Sequence, residues 1–378
     1  MKIALMTHIR HPLRAPFMGG MEAHGWHLAR ELAGRGHEVT LFASGDSAPP
    51  PGVRLHAVME EHYDRRYPWH DFHGTDTLND LLDATFATAC RDVAAGAFDV
   101  VHNNTLHRFP PRLSRARRLP MVSSMHVPPF AALRRAMGDS VAPWHLVTTC
   151  SRLQLGRWWE APPDSARVVG NGIALADWPF SASGDGSAVW AGRITPTKGT
   201  HLAAQAARIA GVQLTIYGVI EHRDYFEDEI APLLGGDIRY GGHLAGADLA
   251  PAFGRASALL FTPLWDEPFG LAAIEAMACG LPVAAVEMGA VREVIGPCGT
   301  YAPPNDPEGL ARALVRAMSL PREAARARVE QRFSIRAMVD GYEALYAEAV
   351  AARAADWPGI TYAPHELEVA PEAMTAGA

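Results

Sequence analysis

Two carboxylates eight positions apart, Glu267 and Glu275, stand in the stretch WDEPFGLAAIEAMACGLPVAA at 265 to 285. The stretch follows an apolar run, turns at Pro268, enters a helical period at Gly270 and leaves it at Gly280, ahead of Pro282. Glu267 therefore falls in the loop at a helix entrance, and Glu275 about one and a half turns inside the helix. The N–H groups of Phe269, Gly270 and Leu271 point out of that helix start and can meet an anion or a hydroxyl. A loop carboxylate, a ring of N–H donors and a second carboxylate suit a ligand that carries both hydroxyls and phosphate, as a nucleotide sugar does.

A second constellation, WAGRITPTKGTHLAAQAA at 190 to 207, reads as strand, glycine turn and helix. Of 34 Lys and Arg residues only Lys2 and Lys198 are lysines, so an interior ammonium at 198 asks for a reason. A planar Arg193 fork and a compact Lys198 ammonium can approach two phosphate groups from different sides, each charge-assisted hydrogen bond contributing about 1.5 to 3 kcal/mol. That pair needs no metal, and the chain has no D-x-D pair to hold one.

Together these segments resemble family 4 of the retaining, GT-B-type nucleotide-sugar glycosyltransferases: Glu267 and Glu275 match its E-x7-E signature, and Arg193 with Lys198 its G-R-x4-K-G segment. The resemblance implies a hexosyl transfer from a nucleoside diphosphate sugar to a hydroxyl acceptor, whether saccharide, lipid-linked or small molecule. It implies that Arg193 and Lys198 grip the donor diphosphate, that Glu275 accepts from the ribose hydroxyls, and that Glu267 with the N–H groups of 269 to 271 orients the sugar. Gly19-Gly20, opening a helix, resembles the family's glycine-rich loop at the donor diphosphate or the acceptor. His126, in SSMHVPPF after the fifth strand, matches the histidine near the transferred sugar, ahead of His102 and His107. Tyr217, Gly218, His243 and Leu244 fall where relatives hold the base, although Tyr217 equally suits plain strand core. Asn171-Gly172-Ile173 looks like the family's hinge. No residue is implied as a covalent nucleophile; the leaving phosphate helps to deprotonate the acceptor. A non-hydrolysing nucleotide-sugar epimerase and a non-catalytic two-lobed binding protein are the rival readings.

The elements that must position these residues alternate. KIALMT, a Pro/Gly-rich loop, a helical period from Met21 to Leu32 and EVTLFA make a parallel α/β beginning, with Trp26, Leu28, Ala29 and Leu32 on one buried helix face. VRLHAV, FDVVHN, LPMVSSM, HLVTTC and ARVVG continue it as a doubly wound sheet. After the polar SASGDGS segment a second α/β unit starts, with strands at SAVWAG, VQLTIYG, DIRYGG, ALLFTP and LPVAAVE. The expectation is α/β of the GT-B class, two Rossmann-like domains facing each other across a cleft: residues 1–171 on the acceptor side, 172–335 binding the nucleotide sugar, and 336–378 a C-terminal helix and tail packing back on the first domain. Residues 333 to 354 read as two helices, and the tail after Trp357 as poorly ordered.

Composition removes other classes. A net charge of -7 argues against bulk nucleic-acid binding. Four scattered cysteines without a C-x-x-C pair suit reduced thiols, and His24/His27 and His70/His73 lack the partners of a metal site and read as surface histidines. The opening apolar run is too short for a signal peptide, and no stretch suits a membrane span, so a cytoplasmic protein is expected. Arg108, Arg112, Arg115, Arg117 and Arg118, with Arg134 and Arg135, suit either a peripheral contact at the inner face of the membrane or a solvated helix face. Neither metal nor cofactor is called for, and the oligomeric state is not legible.

Overall fold

The computed structural model of the protein describes residues 1–244 and 246–359. The described chain divides into two compact units, one of residues 1–150, 155–169 and 339–359, the other of residues 151–154 and 170–338. The tail expected to be poorly ordered lies, from residue 360, outside the described residues.

In the first unit, β1 (Lys2–Thr7), β2 (Glu38–Ser44), β3 (Val53–Met59), β4 (Val100–Asn104), β5 (Met121–Met125), β6 (His145–Thr149) and β7 (Ala166–Val168) form one parallel sheet in the order β3-β2-β1-β4-β5-β6-β7. Helices α1 (Gly20–Gly34), α2 (Trp69–Phe72), α3 (Asp76–Ala95), α4 (Phe109–Arg117) and α5 (Ala131–Asp139), with α6 (Arg152–Trp158) from residue 155 onward, connect the strands. Every residue of β4, β5 and β6 is buried, as expected of strands covered on both faces. Those strands nonetheless carry His102, Asn104, Ser124 and His145, whose polar atoms must find partners inside the unit.

The buried face of α1 differs from the sequence expectation. It is formed by Glu22, His24, Gly25, Leu28, Ala29 and Leu32, whereas Trp26 is only partly buried and donates from Nε1 to the Ala48 carbonyl at 2.9 Å. The indole keeps its N–H toward a polar partner, and two polar residues stand on the core side of this helix.

In the second unit, β8 (Ala188–Ala191), β9 (Leu214–Tyr217), β10 (Ile238–Tyr240), β11 (Ala258–Phe261), β12 (Val283–Val286) and β13 (Gly299–Ala302) form a parallel sheet in the order β10-β9-β8-β11-β12-β13. Its helices are α7 (Thr200–Ala210), α8 (Arg223–Tyr225), α9 (Ala250–Arg255), α10 (Leu271–Ala278), α11 (Val291–Ile295), α12 (Pro307–Ala317) and α13 (Arg322–Arg332). Strand β13, sequence GTYA, is only four residues long and runs directly into Pro303-Pro304, so it is not read from the sequence, and it pairs in parallel register with β12.

The last helix, α14 (Ile335–Ala352), is single where two were expected. Gly341 inside it costs only about 1 kcal/mol against alanine, less than is regained by burying Val339, Tyr342, Tyr346 and Ala349. Among the described residues no helix is long and apolar enough to cross a membrane.

Candidate active site

The order of the second sheet reverses between β8 and β11, the place where open α/β sheets receive ligands beyond the carboxyl ends of their strands. The loop after β8 carries Arg193 to Lys198, and the loop after β11 carries Trp265 to Phe269. A chain of hydrogen bonds ties them together: Trp190 Nε1 donates to Thr262 Oγ1 at 2.9 Å, and Thr262 Oγ1 donates to the Lys198 carbonyl at 2.8 Å. Gly199 follows with φ 59°, and a Cβ there would lie 2.3 Å from the Thr262 carbonyl oxygen. Only glycine allows this approach, so the backbone around Lys198 is pinned.

The side chains then converge. Lys198 Nζ lies 2.5 Å from Glu267 Oε2 and 5.0 Å from the centroid of the Trp265 ring, while Trp265 Nε1 donates to the same Oε2 at 2.9 Å. Glu267 is only 6% exposed. Its other oxygen, Oε1, has no hydrogen-bond partner among the described residues.

Helix α10 starts at Leu271, and its first turn closes with the Ala273 N–H donating to the Gly270 carbonyl at 3.1 Å. The N–H groups of Phe269, Gly270 and Leu271 precede that closure, as the spacing implies, while the Phe269 ring is buried edge-on against Phe333. The carboxyl group of Glu275, a partly buried residue, makes no hydrogen bond or ion pair among the described residues. Burial raises its carboxyl to about 7.

Arg193 is not drawn into the Lys198 pair. Its Nη1 lies 2.6 Å from Glu221 Oε2 in a largely exposed ion pair. The residues expected at the base lie at the end of β9 and in the loop after β10. Gly218, at φ 151°, has a position for Cβ only 1.7 Å from the Gly192 carbonyl oxygen, and its N–H donates to the Gly242 carbonyl at 2.9 Å. Tyr217 accepts from the Gly192 N–H at 3.1 Å and is partly exposed, not strand core. His243 is exposed and Leu244 partly buried.

In the first unit Gly19 is the extended residue before α1 and Gly20 its first member. The carboxylate of Glu22, 3% exposed, lies against them, with Oε2 3.0 Å from where a Gly19 Cβ would stand and Oε1 3.3 Å from His8 Nε2. His126 follows β5, its ring edge-on to His24 at 4.4 Å and its Nε2 3.3 Å from Asn104 Oδ1. Burial, with His8 nearby, lowers His126 to about 4. His24, expected at the surface, is buried, and burial among other imidazoles lowers it well below the usual histidine value. Both of its ring nitrogens and Asn104 Nδ2 have no partner among the described residues.

A model described as Glycosyl transferases group 1 matches residues 181–332, and one described as Glycosyltransferase Family 4 matches residues 18–177, together spanning most of the chain. The chain belongs to glycosyltransferase family 4. The glycogen synthase of Mycobacterium tuberculosis is 28% identical, over 82% of this chain and 84% of its own. The phosphatidyl-myo-inositol mannosyltransferase of Mycolicibacterium smegmatis is also 28% identical, over 79% and 80%. Anabaena HepE, solved in complex with UDP-glucose, shares the fold at a TM-score of 0.69 and 18% identity, covering 92% of this chain and all of that one. The protein is thus a glycosyltransferase of the GT-B fold class, not an epimerase of similar architecture.

Several residues of this glycosyltransferase escape sequence reasoning. Trp190, Thr262 and Trp265 look like ordinary strand and loop residues until two loops about 70 positions apart meet. Glu22, His24 and Asn104 left a fainter signal, namely polar side chains on faces whose neighbours are apolar. His102, ranked behind His126, is fully buried with Nδ1 2.6 Å from the Tyr346 hydroxyl and Nε2 3.1 Å from Asn104 Oδ1. His107 pairs with Asp83 at 3.0 Å. Most of the arginine cluster is engaged within the first unit: Arg108 with Asp83, Arg112 with Asp139, Arg115 with the Pro358 carbonyl and Arg118 with the Ala355 carbonyl.

Proposed function

We propose that this glycosyltransferase moves a hexosyl group from a nucleoside diphosphate sugar to a hydroxyl acceptor in the cytoplasm, with retention of the anomeric configuration and without a metal. The observation that carries the reading is the meeting of Lys198 and Glu267 at the switch point of the second sheet, beside the open N-terminus of α10. An ammonium, N–H donors and a carboxylate with a free oxygen supply what a diphosphate and an adjoining sugar require. Lys198, with Arg193 exchanging Glu221 for phosphate, stabilises charge on the leaving diphosphate, the contribution that dominates this kind of catalysis. Those two cations do the work a divalent ion would otherwise do. Glu275 accepts from the ribose diol, and Tyr217, Gly218, His243 and Leu244 border the base.

Gly19, Gly20 and His126 serve the sugar and the acceptor. The buried Glu22 carboxylate beside the glycines disfavours a second anion there and suits hydroxyls. As the glycosidic C–O bond to the diphosphate breaks, the acceptor oxygen bonds to the anomeric carbon from the same face and its proton passes to the leaving phosphate. The experiment is a thermal-shift panel of UDP-glucose, GDP-mannose and ADP-glucose, followed by turnover in EDTA and NMR of the product anomer. A ligand specific to the native state raises apparent stability with its affinity. An inverted product overturns retention, and the absence of any nucleotide-dependent shift overturns the donor assignment.

A further inference from the structure

Trp265 touches both members of the Lys198–Glu267 pair and has no other polar side-chain contact among the described residues. Its N–H donates to Glu267 Oε2 at 2.9 Å, the oxygen that also takes the ammonium at 2.5 Å, and its ring face stands 5.0 Å from that ammonium. The two donors crowd one carboxylate oxygen and leave Oε1 open. The Lys198 main chain is held separately, through Trp190 and Thr262.

We infer that Trp265 is a positioning residue that lets Lys198 pass from Glu267 to a donor phosphate while Glu267 keeps its orientation. The inference rests on the donor reading above. In the free protein the ammonium is neutralised by Glu267, so a phosphate must compete for it. When the ammonium swings away, a buried carboxylate deprived of its cation would need another donor or would turn. The indole N–H remains on Oε2 and fixes the carboxylate plane, so Oε1 still faces a sugar hydroxyl. The indole face meanwhile attracts the ammonium electrostatically without binding it to one oxygen, which keeps it near the site throughout the exchange.

The test is Trp265→Phe, which keeps an aromatic face and loses the N–H, beside Trp265→Leu, which loses both. Activity is read as hydrolysis of whichever of UDP-glucose, GDP-mannose and ADP-glucose gives the largest thermal shift. Trp265→Phe is expected to lower kcat about tenfold, the loss of one hydrogen bond to a charged group, with donor KM within about threefold of wild type. Trp265→Leu is expected to raise donor KM as well. In a Glu267→Gln background Trp265→Phe should have little further effect, because the indole acts through that carboxylate. Unchanged kcat in Trp265→Phe, or an equal loss in both backgrounds, overturns the positioning role and leaves the donor reading standing. A wild-type protein that neither binds nor turns over any of the three donors overturns the donor reading itself, and this inference with it.

Discussion

The hydroxyl of Tyr346 on α14 lies 2.6 Å from Nδ1 of His102 at the centre of β4. His102 Nε2 in turn reaches Asn104 Oδ1, which His126 Nε2 also approaches, at 3.1 and 3.3 Å. An amide oxygen only accepts, so with Asn104 Oδ1 on this side an imidazole bonds it through Nε2–H. The last helix is thereby joined to a candidate site residue through His102 and Asn104.

Tyr346→Phe should therefore cost more than its own hydroxyl. Leaving His102 Nδ1 buried without a donor is expected to lower stability by about 1–3 kcal/mol. It should also slow turnover several-fold with little change in donor KM. Urea unfolding and steady-state kinetics check both; an effect on stability alone would confine Tyr346 to folding.

Lys198→Ala should lower turnover by orders of magnitude. It also removes the cation of a largely buried carboxylate, so a melting temperature a few degrees lower is expected even without substrate. Lys198→Arg keeps the charge but brings a wider, planar group to the pinned turn before Gly199, and should still weaken donor binding markedly. Calorimetric titration with the donor checks it, and near-wild-type affinity in Lys198→Arg would show that charge alone suffices.

Much of this site is legible in the amino-acid sequence. Strand β8, the Gly199 turn, β11 and α10 announce themselves through short apolar runs and glycines, so spacing alone places Lys198, Glu267 and Glu275 on their elements. What spacing does not contain is the partner across the sheet. Arg193 and Lys198 read as one phosphate grip, yet Arg193 rests on Glu221 in a loop that only the β8–β9 neighbourhood brings close. The arginines at the two ends of α4 make the same point, since Asp83, which engages Arg108, and the chain near residue 355, which engages the exposed Arg118, are distant in sequence. Buried polar networks such as Tyr346–His102–Asn104 look, residue by residue, like helix surface and strand, and only packing joins them.

Because Arg108 and Arg112 are paired with Asp83 and Asp139 and Arg115 is buried, the first unit presents less free basic surface than its sequence suggests. Co-sedimentation should show no preference for anionic over neutral vesicles at physiological salt. Strong, salt-sensitive retention on anionic vesicles would restore a membrane-facing role to the cluster.

Acid should weaken the first unit. Burial holds His102 at about 3, His126 at about 4 and His24 well below the usual 6.5, so the native state binds fewer protons than the unfolded chain below pH 6.5. Their contribution is fully present above 6.5 and is lost as pH falls through the folded values. The melting temperature should decline between pH 6.5 and 4, and His102→Asn should flatten that decline.

Glu275 predicts the opposite slope. Burial raises its carboxyl from 4.5 to about 7, so the folded protein holds a proton that the unfolded chain has released, and stability from this group is present below 4.5 and lost as pH rises through 7. The full shift is worth on the order of 3 kcal/mol, and Glu275→Gln should recover much of it above pH 7. Ribose hydroxyls donate to the ionised form, so donor binding must expel that proton. Donor affinity should therefore rise with pH from 6 to 8 in wild type, with proton release detectable as a buffer-dependent binding enthalpy. Glu275→Gln should bind donor more weakly at pH 8 and show no such dependence. A pH-independent affinity in wild type would remove Glu275 from the donor site while leaving its effect on stability intact.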